Sequence, residues 1–158
     1  MKKNTIYFAF GSNMNLVQMA YRCPHSIFLK KEKLPNWSFI ITNRGFANIV
    51  PEKNRVVRGC LWNLTKKDEE TLDQYEGINQ GYYDKKYMKV GGYENVLIYI
   101  SKTKETGSVW NDYLNIITEG AEQINLETDY IFELQSWNKK NKNIYTEEQQ
   151  IKVFSRKI

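Results

Sequence analysis

The stretch Tyr7-Phe8-Ala9-Phe10-Gly11-Ser12-Asn13-Met14 decides how the rest of this sequence is read. Residues 5–10 are aromatic and apolar, the pattern of a buried strand, and the run ends at Gly11. Residues 15–22 read as a short helix, with Leu16, Met19 and Ala20 at i, i+3 and i+4, and Pro24 stops it. A strand that passes through Gly-Ser-Asn directly into a helix has two readings. Gly11 lets the backbone turn sharply and come close to a ligand. The amides of Gly11, Ser12 and Asn13, followed by a helix N-terminus, then form a cradle for a carboxylate or phosphate. Equally, the segment is a tight turn in which Asn13 serves as the N-cap.

Outward from that turn, residues 26–34, 37–42 and 46–50 are three short apolar runs separated by Pro or Gly punctuation. Residues 56–64 read as a stronger strand, with Val57, Gly59, Leu61 and Asn63 opposite Val56, Cys60, Trp62 and Leu64. A helix follows, with Thr65 as N-cap and Asp68 at the third helical position. Leu72 and Tyr75 share one of its faces, and Gly77 stands where a glycine closes a helix. Residues 82–90 and 96–100 predict a β-hairpin around Gly91-Gly92. Ser108 is the expected cap of the next helix, which passes through Tyr113 and Ile117 to about Ala121. A last helix carries Tyr130, Leu134 and Trp137 at i, i+4 and i+7. The tail is polar from Asn138, with a final element expected around residues 151–154. Six or seven short strands with a few helices predict an α+β domain, a small mixed sheet or barrel with helices packed outside it.

Composition narrows the chemistry. The chain has 158 residues, of which 41% are hydrophobic and 26% charged. That length suits one domain with a core of its own, needing no disulfide or metal staple. One histidine and two cysteines are too few and too scattered for a structural zinc site or a disulfide scaffold. A Ser-His-Asp device could use only His25, which reads as a loop residue after Pro24. The five apolar residues 6–10 are too short for a signal-peptide core, and no run approaches the roughly 18 apolar residues of a membrane span. The expectation is a cytoplasmic protein with Cys23 and Cys60 as free thiols and no membrane partner. The net charge is +5. Its lysines are scattered apart from Lys139-Lys140-Asn141-Lys142, so no nucleic-acid partner is expected.

Two further residues are candidates for chemistry. Glu76 falls at the C-terminal end of a helix, the negative pole of its dipole, where the charged carboxylate is disfavoured. Burial against Tyr75, Tyr82 and Tyr83 would push the same way. A glutamate held partly protonated near neutral pH suits general acid–base work; the other reading is a solvated surface glutamate. Tyr113, spaced with Ile117, is either a core tyrosine or a hydroxyl turned toward a ligand. Trp37, Trp62, Trp110 and Trp137 read as packing residues.

Together these segments resemble the γ-glutamylcyclotransferase-like family. Residues 7–14 look like its aromatic-Gly-Ser-Asn-Leu/Met signature. Val57-Arg58-Gly59-Cys60-Leu61-Trp62-Asn63-Leu64 looks like its Gly-x-x-Trp strand. Leu72-Asp73-Gln74-Tyr75-Glu76-Gly77, followed by Gly81-Tyr82-Tyr83, looks like its Leu-Asp-x-x-Glu-Gly segment with a downstream tyrosine. Tyr113, seven residues before Gly120-Ala121, matches the penultimate helix. The likeness covers roughly residues 6–137 and agrees with a domain over 1–138 followed by a basic, polar extension over 139–158.

The resemblance implies a small β-barrel with helices around it and a pocket at one end. The implied partner is a small-molecule γ-glutamyl amine, amino acid or peptide. Its α-amine attacks its own γ-amide carbonyl, releasing 5-oxoproline, and no metal or cofactor is implied. By matching position, Glu76 is the general acid–base. Tyr7, Phe8, Ala9, Phe10, Gly11, Ser12 and Asn13 bind the glutamyl part, and Tyr113 completes the pocket. The chemistry is self-consistent, because a reaction whose nucleophile and electrophile belong to one substrate asks mainly for orientation. Phe10 stands where the family commonly has tyrosine, Asn48 replaces a small hydroxyl residue, and the usual proline before the Tyr113 helix is absent; these departures touch substrate identity. A non-catalytic binding module with the same pocket is the alternative, and the oligomeric state is open, a homodimer included.

Overall fold

Strand β1 (Thr5–Ala9) lies in the middle of a five-stranded sheet, and its position follows from its composition. Tyr7, Phe8 and Ala9 are all buried, so both faces are covered, which a continuous apolar run can tolerate and an alternating one cannot. A computed structural model of the chain describes residues 3–141. In it β1 pairs antiparallel with β3 (Ala47–Leu64) and parallel with β5 (Tyr93–Ile100). The two edges are β2 (Ile27–Ile41), paired with β3, and β4 (Asp84–Val90), paired with β5. The order is β2-β3-β1-β5-β4. The class is the expected α+β, a mixed sheet with helices packed on it, but the sheet runs open from β2 to β4 and does not close into a barrel.

Five strands stand where six or seven were expected, because two expected breaks are irregularities inside long strands. Residues 26–34 and 37–42 fall on one strand, β2, whose register shifts between Phe28 and Lys30 and again between Pro35 and Trp37. Pro35 is tolerated there because β2 is an edge strand and can lack a ladder donor on its open side. Residues 46–50 and 56–64 likewise merge into β3. Asn36 (φ 67°) and Asn54 (φ 68°) take left-handed backbone conformations, and Asn54 N–H donates to Asn36 Oδ1 at 3.1 Å. The punctuation therefore twists one ribbon and does not divide it.

The helices carry the clearest local signals. In α2 (Lys66–Tyr75), Thr65 Oγ1 accepts from Asp68 N–H at 3.1 Å, the expected cap. At the other end Ile78 N–H donates to the Asp73 carbonyl and Gly77 N–H to the Gln74 carbonyl, both at 3.1 Å, a Schellman closure. Gly77 has φ +61°, and a Cβ there would sit 2.4 Å from Tyr82 Cδ2, so glycine is required on both counts. Glu76 is thereby fixed as the capping residue. The β4–β5 hairpin turns at Gly91-Gly92 as expected.

Other caps differ from expectation. Asn15, not Asn13, caps α1 (Leu16–Arg22), its Oδ1 accepting from the amides of Val17 and Gln18. Helix α3 (Asn111–Gln123) begins from Trp110 with no side-chain cap, so Ser108 lies before it and is not its cap. Helix α4 (Thr128–Gln135) stops short of Trp137, which sits in a 3-10 turn (Ser136–Asn141) and meets Phe39 edge-on at 6.2 Å. The element expected at residues 151–154 lies outside the described residues.

One close approach sets the site. A Cβ on Gly120 would meet Asn15 N at 2.6 Å and Met14 C at 2.8 Å. The glycine lets α3 lie directly against the turn that leaves β1, and this places Tyr113, two helical turns earlier, over the end of that strand. Among the described residues no helix is long and apolar enough to cross a membrane.

Candidate active site

After β1 the chain leaves the sheet through Gly11 into a single 3-10 turn (Ser12–Met14). Met14 N–H returns to the Gly11 carbonyl at 3.1 Å, and Asn15 N–H to the Ser12 carbonyl at 3.0 Å. The leading amides of such a turn have no partner within it and point outward. Glycine at 11 is favoured by tight space, not by φ, which is −119°. A Cβ would lie 3.2 Å from Ala47 Cβ and 3.8 Å from Tyr113 Oη, inside the cavity described next.

Asn13 is a buried pin. Its Nδ2 donates to Tyr7 Oη at 3.1 Å, its Oδ1 accepts from Gln18 Nε2 at 3.0 Å and from Arg22 Nη1 at 3.1 Å, and its carbonyl accepts from Trp62 Nε1 at 3.0 Å. These bonds tie the turn to β1, α1 and β3, so the cradle is held from three sides.

The turn faces a small inner chamber of about 30 Å³, lined by Tyr7, Gly11, Tyr83, Tyr99 and Tyr113 with Glu76 at its neck. The tyrosines are fixed by their hydroxyls. Tyr83 Oη donates to the Ala47 carbonyl at 2.6 Å, while Ala47 N–H donates to Tyr113 Oη at 3.1 Å, so one residue at the start of β3 holds both. Tyr99 Oη donates to Asp73 Oδ1 at 2.7 Å, and Tyr7 packs edge-on against Tyr99 at 5.6 Å. Asp73 also pairs with Lys85 Nζ at 3.1 Å. Burial pushes the phenols of Tyr7, Tyr83, Tyr99 and Tyr113 up from the usual value, so they are neutral at physiological pH.

Beyond the neck lies a vestibule of about 470 Å³, which shares Ser12, Glu76, Tyr83 and Tyr113 with the chamber. Its rim carries Arg22, Arg44, Phe46, Tyr75 and Tyr82. The Glu76 carboxyl therefore stands where two compartments meet. Burial pushes its pKa up to about 7; the Arg22 charge opposes the rise and the Asp73 charge adds to it. A carboxyl that titrates near neutrality can both take and return a proton under working conditions.

The structure gathers Tyr7, Phe10, Gly11, Ser12, Asn13, Glu76 and Tyr113 around the inner chamber. Phe8 and Ala9 are not in its wall. Phe8 is fully buried, with its ring 3.1 Å from where a Gly59 Cβ would lie, and Ala9 presents its carbonyl to the same glycine. These two are core residues of the central strand. Phe10 packs edge-on against Phe39 at 6.5 Å while lining the chamber. Asn48 is fully buried and clips the loop that leaves β5, its Nδ2 donating to the carbonyls of Ser101 and Thr103 and its Oδ1 accepting from Ser101 N–H. Sequence reasoning missed Ala47, Tyr99, Arg22 and Arg44 as wall residues. Tyr83 was legible only as the tyrosine after Gly81-Tyr82.

Cys23 and Cys60 are buried and free, and burial pushes both thiols up to about 12, so neither is an activated nucleophile. His25 is exposed in the turn after α1. Among the described residues no three His, Cys, Asp or Glu side chains cluster as metal ligands would.

An open mixed sheet with a carboxyl–tyrosine chamber at the end of its central strand defines the class of protein. A profile of the AIG2-like family matches residues 56–134, half of the sequence, and the chain belongs to that family. Human gamma-glutamylcyclotransferase is 26% identical over 143 residues, 82% of this chain and 76% of that protein. The mouse gamma-glutamylcyclotransferase is 26% identical over 139 residues, 79% and 74% of the two chains. A solved structure described as gamma-glutamyl cyclotransferase superposes with a TM-score of 0.80 at 24% identity, covering 97% of this chain and 99% of that one. YkqA from Bacillus subtilis superposes with a TM-score of 0.74 at 20% identity, covering 87% of this chain and 55% of that one. These likenesses establish the fold.

Proposed function

We propose that this protein is a γ-glutamyl cyclotransferase that releases 5-oxoproline from a γ-glutamyl amine, amino acid or peptide. One observation carries the reading. A carboxyl with a pKa of about 7 stands in the shared wall of a small tyrosine-lined chamber at the Gly11–Ser12 turn and a larger vestibule. The names of the human and mouse relatives support it.

In this mechanism the γ-amide lies at Glu76, the glutamyl end reaches toward the Gly11–Ser12 turn at the mouth of the chamber, and the leaving group extends along the vestibule. The α-amine nitrogen attacks the γ-carbonyl carbon. The new C–N bond closes a five-membered ring, and the carbonyl π electrons move onto oxygen. Glu76 as carboxylate takes a proton from the attacking nitrogen. The amides of Gly11 and Ser12 face the oxygen that gains charge, a contribution worth roughly 10² or more in rate. Collapse of the adduct breaks the original C–N bond as Glu76 returns its proton to the departing nitrogen. Orientation of the flexible glutamyl chain supplies several kcal/mol, and one carboxyl acting as acid and base adds about 10²–10⁴. The nucleophile comes with the substrate, so the mechanism calls on no cofactor, metal or enzyme nucleophile. The working unit is the domain over residues 1–138, with 139–158 an appended extension.

The test is incubation with a panel of γ-glutamyl compounds and detection of 5-oxoproline. Wild type forms product, with kcat/KM rising through a midpoint near pH 7, and Glu76→Gln does not. Saturable binding without turnover by wild type, or product from Glu76→Gln at the wild-type rate, would overturn the assignment.

A further inference from the structure

Behind Glu76, helix α2 is joined to three strands by one chain of polar bonds. Glu69, Asp73 and Glu76 follow one another at i, i+4 and i+7, so they share one face of the helix and its C-terminal cap. Thr5 Oγ1, on β1, donates to Glu69 Oε1. Lys85 Nζ, on β4, donates to Glu69 Oε2 and, at 3.1 Å, to Asp73 Oδ2. Tyr99 Oη, on β5, donates to Asp73 Oδ1 at 2.7 Å. Lys85 and Tyr99 are direct partners across the β4–β5 ladder, which presents both to the same helix face. Tyr99 in turn packs edge-on against Tyr7, and both line the chamber.

The centre of the chain is Lys85, which spans both carboxylates. The side chains of Glu69, Lys85 and Asp73 are 17%, 22% and 29% exposed, so breaking this pairing costs more than breaking one at an open surface. Burial works against the charge on Lys85, but its bonds to Glu69 and Asp73 outweigh that and hold its pKa above the usual value. Burial likewise opposes the charge on Glu69, and the bonds from Lys85 and Thr5 hold it below the usual value. On its outer side the group faces a surface cavity of about 410 Å³, lined by the same Glu69, Asp73 and Lys85, so a changed side chain at 85 meets solvent and opens no void in the core.

Resting on the cyclotransferase reading of the same site, we infer that Lys85 is a positioning residue: by clamping Glu69 and Asp73 to β4 it fixes the end of α2 that carries Glu76 against the end of β1, and through Asp73 it fixes Tyr99 in the chamber wall. The closure at Gly77 sets Glu76 relative to its own helix; the Lys85 clamp sets that helix relative to the sheet. The reaction needs both, because one carboxyl serves two nitrogens in turn and a small misplacement costs rate. The clamp also has an electrostatic signature. The groups facing Glu76 are Arg22 from α1, Asp73 from α2, Tyr7 from β1, Tyr83 before β4, Tyr99 from β5 and Tyr113 from α3, with Arg44 on the vestibule rim, and the phenols are neutral. Of these Asp73 is the anion, and Lys85 balances its charge. Without Lys85 that charge acts on Glu76 unopposed, so Glu76 holds its proton to higher pH.

The experiment follows Glu76 itself, by carbon-13 NMR titration of protein labelled at its glutamate carboxyls, with the Glu76 signal assigned by its loss in Glu76→Gln. Kinetics of 5-oxoproline formation run beside it. In Lys85→Met the Glu76 midpoint moves to higher pH, and kcat falls by about tenfold or more with a smaller change in KM. Lys85→Arg, which keeps the charge and the donors, restores most of both. A purely structural lysine would lower the melting temperature of Lys85→Met and leave the Glu76 midpoint where it is. An unmoved midpoint, or wild-type kcat in Lys85→Met, overturns the positioning role. Lys85→Gln, which keeps a donor but no charge, serves with the same outcomes where Lys85→Met does not fold. If wild type forms no 5-oxoproline, the cyclotransferase reading falls, and the titration alone decides for or against the clamp.

Discussion

The inner chamber and the outer vestibule meet at Glu76 but are built on opposite principles. The chamber is walled by main chain and by tyrosines whose hydroxyls are committed to other groups: Ala47 holds Tyr83 and Tyr113, and Asp73 holds Tyr99. The vestibule is rimmed by half-exposed aromatics, Phe46, Tyr75 and Tyr82, with arginines laid across two of them. Buried hydrogen-bonded walls define one shape, because each unmade bond is costly. Exposed stacked charges define a preference and tolerate variation. The part of a substrate that is always the same belongs in the first setting, and the part that varies belongs in the second.

The largest effect is expected at the junction. Glu76→Gln should lower kcat by about 10²–10⁴, read from 5-oxoproline formation. It should also alter stability in a definite sense. The folded-state pKa is raised to about 7, so wild type binds a proton more tightly folded than unfolded and loses stability as pH rises from the unfolded value through about 7. The variant escapes that loss. Its Tm should exceed wild type at pH 8 by about a few degrees, with the gain vanishing near pH 4.

Next comes the chamber wall. Gly11→Ala should lower kcat/KM by about tenfold or more, because the new methyl meets Ala47 Cβ at 3.2 Å inside the chamber. Its backbone conformation needs no glycine, so the melting temperature should stay near wild type. A large loss of stability instead would show that the segment is a structural turn and not a cradle.

Tyr113→Phe probes the wall bonds themselves. It strands the buried Ala47 amide and should cost about 1–3 kcal/mol in urea unfolding, with reduced activity. Asp73→Asn is subtler. The Asp73 charge raises the Glu76 pKa, so its removal should move the rising limb of kcat/KM to lower pH, read from a full pH profile. Lys85 then loses one of its two carboxylates, and its charge acts in the same direction. An unshifted or alkaline-shifted limb would break the link between the two carboxyls.

How much of this was legible before the structure depends on sequence distance. The α2 helix was readable at both ends because Thr65, Asp68, Gly77 and the residues they bond lie within a few positions of one another. Glu76 was placed at a helix C-terminus by the same local rules. The turn at Gly11 is readable as a strand end, but of its two readings the one with Asn13 as N-cap does not hold, since Asn13 is drawn away by Tyr7, Gln18, Arg22 and Trp62 and Asn15 caps α1. Breaks at Pro35 and Pro51 looked like strand ends, and only the edge position of β2 and the neighbouring register shift explain why pairing continues. Tyr99 and Ala47 carry no local mark at all, because what makes them wall residues is the register of β5 and β3 on either side of β1.

By itself, then, the sequence determined a mixed α+β domain, a central apolar strand ending in Gly-Ser-Asn, and a glutamate capping a helix beside a glycine. These follow from dihedral preferences and hydrogen bonds that close within one or two turns of chain. Tertiary structure alone decided that the glutamate faces that strand end, that four tyrosines close a chamber between them, and that two arginines stand outside it. The reason is physical: desolvation of the Glu76 carboxyl, which moves it to about 7, comes from atoms brought together from β1, β3, β5 and α3, and no local pattern encodes that convergence.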